Sequence, residues 1–216
     1  MKKNLALVVF FLSLTSFAFA QKDAKAKEWL DKSSEAFSKA GDLSVSFTMN
    51  IKDVSNKLSE SFEGTIDLKG NKFHLDVPEM GSWFDGKTQW VLQKAWDEVS
   101  ITEPNPQEVQ ALNPKTIFDM YKRGTNYKYI GETMDMKGRK VHEVELIPQA
   151  KNSEMTKIVM QISPVDYMPV KIHISYKNNI ENIIHINQYK KNANLADSVF
   201  VFDSKKYPEI EIIDLR

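Results

Sequence analysis

The 216-residue chain contains no cysteine. That absence excludes disulfides, cysteine nucleophiles and thiolate metal sites. It also leaves no cysteine to carry a lipid anchor at a signal-cleavage point. Excess charge of one sign is missing as well, with 29 Lys+Arg against 29 Asp+Glu. No block of basic residues stands out, and neutralising nucleic-acid phosphates requires clustered Lys and Arg. Nucleic-acid binding is therefore not expected. Beyond residue 20, no apolar run approaches the ~20 residues of a membrane span. The chain shows no internal repeat, no low-complexity segment and no linker, so a single domain over 21–216 is the economical reading.

What is present begins with a leader. Met1-Lys2-Lys3-Asn4 is a short basic start, and Leu5 to Leu14 is apolar. Ser13, Thr15 and Ser16 break that run, and Ala18-Phe19-Ala20 places small residues at the two positions read by a signal peptidase. The pattern predicts a cleaved secretory signal over residues 1–20. Removing Lys2 and Lys3 leaves a mature chain of 196 residues with 27 basic and 29 acidic residues, a net charge of −2. A chain of this size buries roughly 70% of its unfolded surface as one domain.

Residues 23–40 carry helical periodicity. Ala26, Trp29, Leu30, Ala36, Phe37 and Ala40 form one stripe, and Gly41 stands where a helix C-cap glycine belongs. The period then changes to two. Leu43, Val45, Phe47, Met49 and Ile51 alternate with polar residues up to Asp53. Further strands are expected at Phe62 to Leu68, Phe73 to Val77, Trp83-Phe84 and Gln89 to Leu92, with Asp85-Gly86 as a tight hairpin turn. Five more are expected at Tyr127 to Thr133, Val141 to Ile147, Met155 to Ile162, Val170 to Tyr176 and Asn182 to Tyr189. The chain ends with Phe200 to Phe202 and Ile210 to Leu215 in the same style. About eleven antiparallel strands predict a mainly β fold, a sheet curled into a barrel or half-barrel.

The alternation stops at 103–124, where Pro104, Pro106 and Pro114 punctuate the chain. Asn113-Pro114 reads as an N-cap followed by proline at the first helical position. Ile117, Phe118, Met120 and Tyr121 follow as an apolar helical segment. A helix that interrupts a sheet is a natural lid.

Catalytic signals are sparse. The four histidines, His74, His142, His173 and His185, fall on separate expected strands without metal-ligand spacing. His173 and His185 share an expected hairpin, yet a metal there needs at least one more ligand. No serine occupies a nucleophile elbow and no glycine loop cradles phosphate. No metal, cofactor or catalytic residue is assigned, and the chain is not expected to be an enzyme. A carboxylate dyad assembled across distant strands stays open as an alternative, as in glycosidases.

Aromatic and methionine content is more informative. The mature chain keeps Trp29, Trp83, Trp90, Trp96 and eight methionines. Methionine suits adaptable apolar surfaces. A sheet of ten or more strands that curls encloses more apolar surface than one amphipathic helix fills. Either side chains pack it solid, or it holds an apolar ligand.

Three segments then carry a resemblance. They are Phe62-Glu63-Gly64-Thr65-Ile66-Asp67-Leu68, Lys72-Phe73-His74-Leu75-Asp76 and Phe84-Asp85-Gly86-Lys87-Thr88-Gln89-Trp90. Together with the Asn113-Pro114 to Met120 segment, they resemble the periplasmic outer-membrane lipoprotein carriers (LolA-like). The resemblance implies an unclosed antiparallel β-barrel of about eleven strands, with an N-terminal helix and a helical lid over a hydrophobic cavity. It implies a monomeric periplasmic carrier without cofactor. Such a carrier takes the acyl chains of lipoproteins released by an inner-membrane ABC transporter and hands them to an outer-membrane acceptor. The expected lipid-binding residues are Phe47, Met49, Phe62, Ile66, Phe73, Leu75, Trp83, Trp90, Leu92, Ile117, Phe118, Met120, Tyr121, Leu146, Ile158, Met160, Ile172 and Ile174. Strand positions follow from alternation, so a one-residue slip inverts a strand's set. The alternative is a cavity protein that binds free lipid, glycolipid or a hydrophobic peptide for sensing. One departure stands out. Where the family carries its gate arginine, this chain has Leu68-Lys69-Gly70, and lysine cannot make arginine's planar multidentate contacts.

Overall fold

The computed structural model describes residues 23–105, 109, 116, 120–122 and 124–216. Its helix α1 spans Ala24–Lys39. Asp23 caps it, its Oδ1 accepting from the Ala26 amide at 2.9 Å. The same carboxylate's Oδ2 accepts from the Tyr129 amide at 2.7 Å, so one side chain starts the helix and ties it to the sheet. Gly41 follows the helix at φ +68°, a left-handed conformation that an ordinary residue adopts at a cost.

Twelve strands follow. They are β1 (Leu43–Asp53), β2 (Leu58–Lys69), β3 (Lys72–Val77), β4 (Met80–Phe84), β5 (Gln89–Gln93) and β6 (Glu98–Thr102). After the interruption come β7 (Thr125–Met134), β8 (Lys140–Pro148), β9 (Met155–Ile162), β10 (Pro169–Tyr176), β11 (Ile180–Lys191) and β12 (Glu211–Asp214). They form one sheet in the order β12-β6-β5-β4-β3-β2-β1-β11-β10-β9-β8-β7. Every neighbouring pair is antiparallel except β12 on β6. β7 and β12 end the sheet without pairing to each other, so the barrel is unclosed.

β6 (Glu98–Thr102) escaped the expectation. Phe200 to Phe202 is also not a strand. Asp197–Phe200 is a 3-10 turn, and Phe202 follows in irregular chain. Phe200 and Phe202 are both buried, which imitates strand alternation without any ladder.

Residues opposite each other in the ladder share a face of the sheet. Val45, Ile66 and Leu75 are successive partners across β1, β2 and β3, and they define the inner face. The α1 stripe packs on the β7–β10 half of this face. There Ala26, Trp29, Leu30 and Phe37 share a core with Val144, Leu146, Ile158, Met160, Ile162 and Ile172. A second, smaller core lies on the outer face of β4–β6. The C-terminal strap supplies Phe202, Tyr207 and Ile210 to it, against Trp83, Trp90, Leu92 and Val99.

Candidate functional site

Between these two cores the inner face is not filled. A hollow of about 340 Å³ opens there. Val45, Phe47 and Met49 of β1 and Phe62, Ile66 and Leu68 of β2 form its floor. Leu75, Val77 and Met80 bound it on one side, and Ile172, Ile184, Ile186 and Tyr189 on the other. Phe37, near the C-terminal end of α1, closes one end. Among the described residues no charged side chain lines it. The one hydroxyl, Tyr189 Oη, donates to the Pro169 carbonyl at 3.0 Å. Burial pushes that phenol far above its usual range, so it stays neutral.

Gly64 explains how so many large side chains leave room. It sits beneath the Phe47 ring, and a Cβ there would lie 2.6 Å from Phe47 Cζ. The absent side chain lets the ring lie against β2.

Six expected residues line the hollow: Phe47, Met49, Phe62, Ile66, Leu75 and Ile172. Four others, Leu146, Ile158, Met160 and Ile174, are on the inner face but belong to the core shared with α1. The helix occupies the space that a ligand would need there. Phe73 is also on the inner face, buried against Phe84 with ring centroids 5.7 Å apart.

Trp83, Trp90 and Leu92 require correction. Trp83 pairs with His74 and with Trp90, and His74 pairs with Asp67, all on the outer face. Leu92 shares that face through Gly81 and packs under the strap with the tryptophans. In β4 the inner positions are Met80, Ser82 and Phe84. The aromatic pair Trp83-Phe84 offers either parity, and Trp83 takes the outer one.

The expected lid falls largely outside the described residues, including Asn113, Pro114, Ile117 and Phe118. Its end is described. Met120 packs against the α1 core. Tyr121 is buried and donates its hydroxyl to Asp31 Oδ1 of α1 at 2.7 Å. Lys122 Nζ reaches Ser34 Oγ at 3.3 Å. The segment thus returns to the sheet by docking on the helix.

Lys69 does not face the hollow. It pairs with Lys72 on the outer face, where its Nζ donates to the Leu195 carbonyl at 2.7 Å and lies 3.0 Å from Asp197. Lys72 holds the same carboxylate at 3.0 Å. The two lysines latch the strap, and together they hold the Asp197 carboxyl below the usual range.

The histidines stay apart. His173 lies beside Glu181 at 3.3 Å, and His185 opposes Lys171. His74 stacks on Trp83, and His142 stacks on Trp29 at 3.6 Å while bonding Tyr129 Oη at 2.8 Å. Among the described residues no group of three His, Asp or Glu side chains could hold a metal ion. No described helix is long and apolar enough to cross a membrane.

Sequence reasoning missed Phe37, Val45, Leu68, Val77, Met80, Ile184, Ile186 and Tyr189. The β1 alternation already carried Val45. On β11 the run Ile183-Ile184-His185-Ile186 hides its parity, because apolar residues fall on both faces.

No curated protein sequence matches the chain. Solved structures do. An uncharacterized conserved protein from Thermus thermophilus superposes with a TM-score of 0.57 at 10% identity, covering 88% of this chain and 99% of that one. LprF from Mycobacterium bovis gives 0.50 at 14% identity, with 82% and 97% covered. A LolA superfamily protein, NE2245, from Nitrosomonas europaea gives 0.43 at 11% identity, with 82% and 98% covered. At these identities the first two show a shared fold. The sequence profile of the outer membrane lipoprotein carrier protein LolA matches residues 16–178, more than half of the chain. An unclosed sheet, a helix laid on its inner face and an apolar hollow beside that helix are thus what the residues of this family build here, and the chain belongs to the LolA outer membrane lipoprotein carrier family.

Proposed function

We propose that the mature chain is a periplasmic carrier that shelters the acyl chains of lipoproteins between the inner and outer membranes. The observation that carries this reading is the hollow of about 340 Å³ whose described lining is apolar and free of charge. Ligand sites generally measure about 300–1,000 Å³, so the hollow is small for several chains, and full loading widens it. Burying about ten methylenes contributes ~8 kcal/mol, the scale of a micromolar Kd before the cost of association is deducted. Such binding is tight enough to keep acyl chains out of water and weak enough to yield to an acceptor.

The leader of residues 1–20 supports export to the periplasm, and family membership supports the cargo class. In this reading the chain acts as a monomer without a cofactor. It accepts cargo from an inner-membrane ABC transporter, surrenders it at the outer membrane and breaks no covalent bond.

The test is release from spheroplasts. Purified residues 21–216 are added to spheroplasts that display a triacylated lipoprotein. The lipoprotein is expected in the supernatant, co-purifying with the carrier. Recovery of free lipids alone, or of nothing, overturns the reading.

A further inference from the structure

One polar pair interrupts the inner face next to the hollow. Asn182 of β11 lies opposite Ile51 and Ile174. It is one same-face step beyond Ile184, a hollow residue, and strands rise about 3.4 Å per residue. The pair therefore stands at the end of the hollow toward the β1–β2 turn. Asn182 Nδ2 donates to Tyr176 Oη over a long 3.4 Å. Asn182 Oδ1 is shut off from solvent and has no hydrogen-bond partner among the described residues. The phenol accepts from Asn182, and its own proton meets no acceptor among the described residues.

A buried acceptor without a donor is costly beside an apolar hollow. One ligand chemistry satisfies both groups at once. A secondary amide offers an N–H to Asn182 Oδ1 and a carbonyl to the Tyr176 hydroxyl. An ester offers acceptors only, and a fatty acid brings a charge that no described lining residue of the hollow neutralises.

We propose that Asn182 and Tyr176 form an amide-recognition point, which favours an acyl chain held by an amide over one held by an ester. The inference rests on the carrier reading and deepens it. The acyl chain lies along Ile184, Ile172 and Met49. As the hollow widens to admit the chain, its linkage reaches the polar pair.

The test uses two isosteric probes, N-ethylhexadecanamide and ethyl hexadecanoate, binding to residues 21–216 in competition with a fluorescent acyl reporter. The amide is expected to bind roughly five- to tenfold tighter, the yield of one or two net hydrogen bonds. Asn182→Leu is expected to abolish that preference. Tyr176→Phe is expected to reduce it partially and guards against a folding defect in the first variant. Equal affinity of the unaltered protein for both probes, as when a water satisfies Asn182, overturns the inference and leaves the carrier reading intact. A preference that survives Asn182→Leu overturns it too. Failure of both probes to bind overturns the carrier reading along with it.

Discussion

His142 shows how a single side chain couples the helix to the sheet. Its ring is sandwiched at 3.6 Å against Trp29 of α1 and held through Nδ1 by Tyr129 of β7. Burial pushes the imidazole below its usual range, Lys25, Lys140 and Lys32 push the same way, and Glu132 opposes them. His74 and His185 are lowered as well, again chiefly by burial. A histidine whose folded pKa lies below its unfolded value of about 6.5 binds fewer protons when folded. Its stability contribution is therefore complete above about pH 6.5 and falls as the pH drops through the imidazole range. Urea midpoints for residues 21–216 are expected to decline between about pH 7.5 and 5.5, and less steeply in His142→Phe. Identical slopes for the two proteins would sink the assignment. At this scale the sequence was partly legible. The alternation of Phe47, Met49, Phe62 and Ile66 puts these side chains on the face that lines the hollow. Trp83 was misplaced because bulk alone does not say which of two adjacent aromatics points inward.

The strap after β11 is the element least visible beforehand. Lys69 and Lys72 hold it through Asp197, yet that carboxylate is 65% exposed, and exposed ion pairs contribute about 0–1 kcal/mol each. Apolar contact has to carry the rest. Phe202 meets Trp83 at 5.3 Å edge-on and stacks on Tyr207 at 5.2 Å. Phe202→Ala is expected to cost roughly 3 kcal/mol or more. The double change Lys69→Ala with Lys72→Ala is expected to stay within about 2 kcal/mol. Denaturant titration of both variants checks the order, and the reverse order would show that the latch, not the rings, holds the strap. Other elements could be read early. The helix and the strands β1, β3, β5 and β7 to β11 lie within a few residues of their expected places, because long alternation and Gly or Asn turns mark them. β6 has only Val99 and Ile101 as apolar residues among five, too few to declare a period. It pairs with β5 across a short turn, but its other partner, β12, lies far away in the chain.

At the scale of the molecule, the described residues form two cores on opposite faces of one sheet, and none of them belongs to both. α1 fills the inner face over β7 to β10, and the strap covers the outer face over β4 to β6. Trp29→Ala and Phe202→Ala, one from each core, share no partner, so their destabilisations should add within about 0.5 kcal/mol. Marked non-additivity in the double variant would mean that the halves do not act separately. The hollow occupies the inner face between these halves, beside the end of the helix. α1 is thus a permanent tenant of a space that the sheet would otherwise leave to the ligand. Phe37 is where the tenant's share ends and the ligand's begins. If the carrier reading holds, the size of cargo admitted is adjustable from one helical position, by trading ring volume for acyl volume, with every strand register left as it stands.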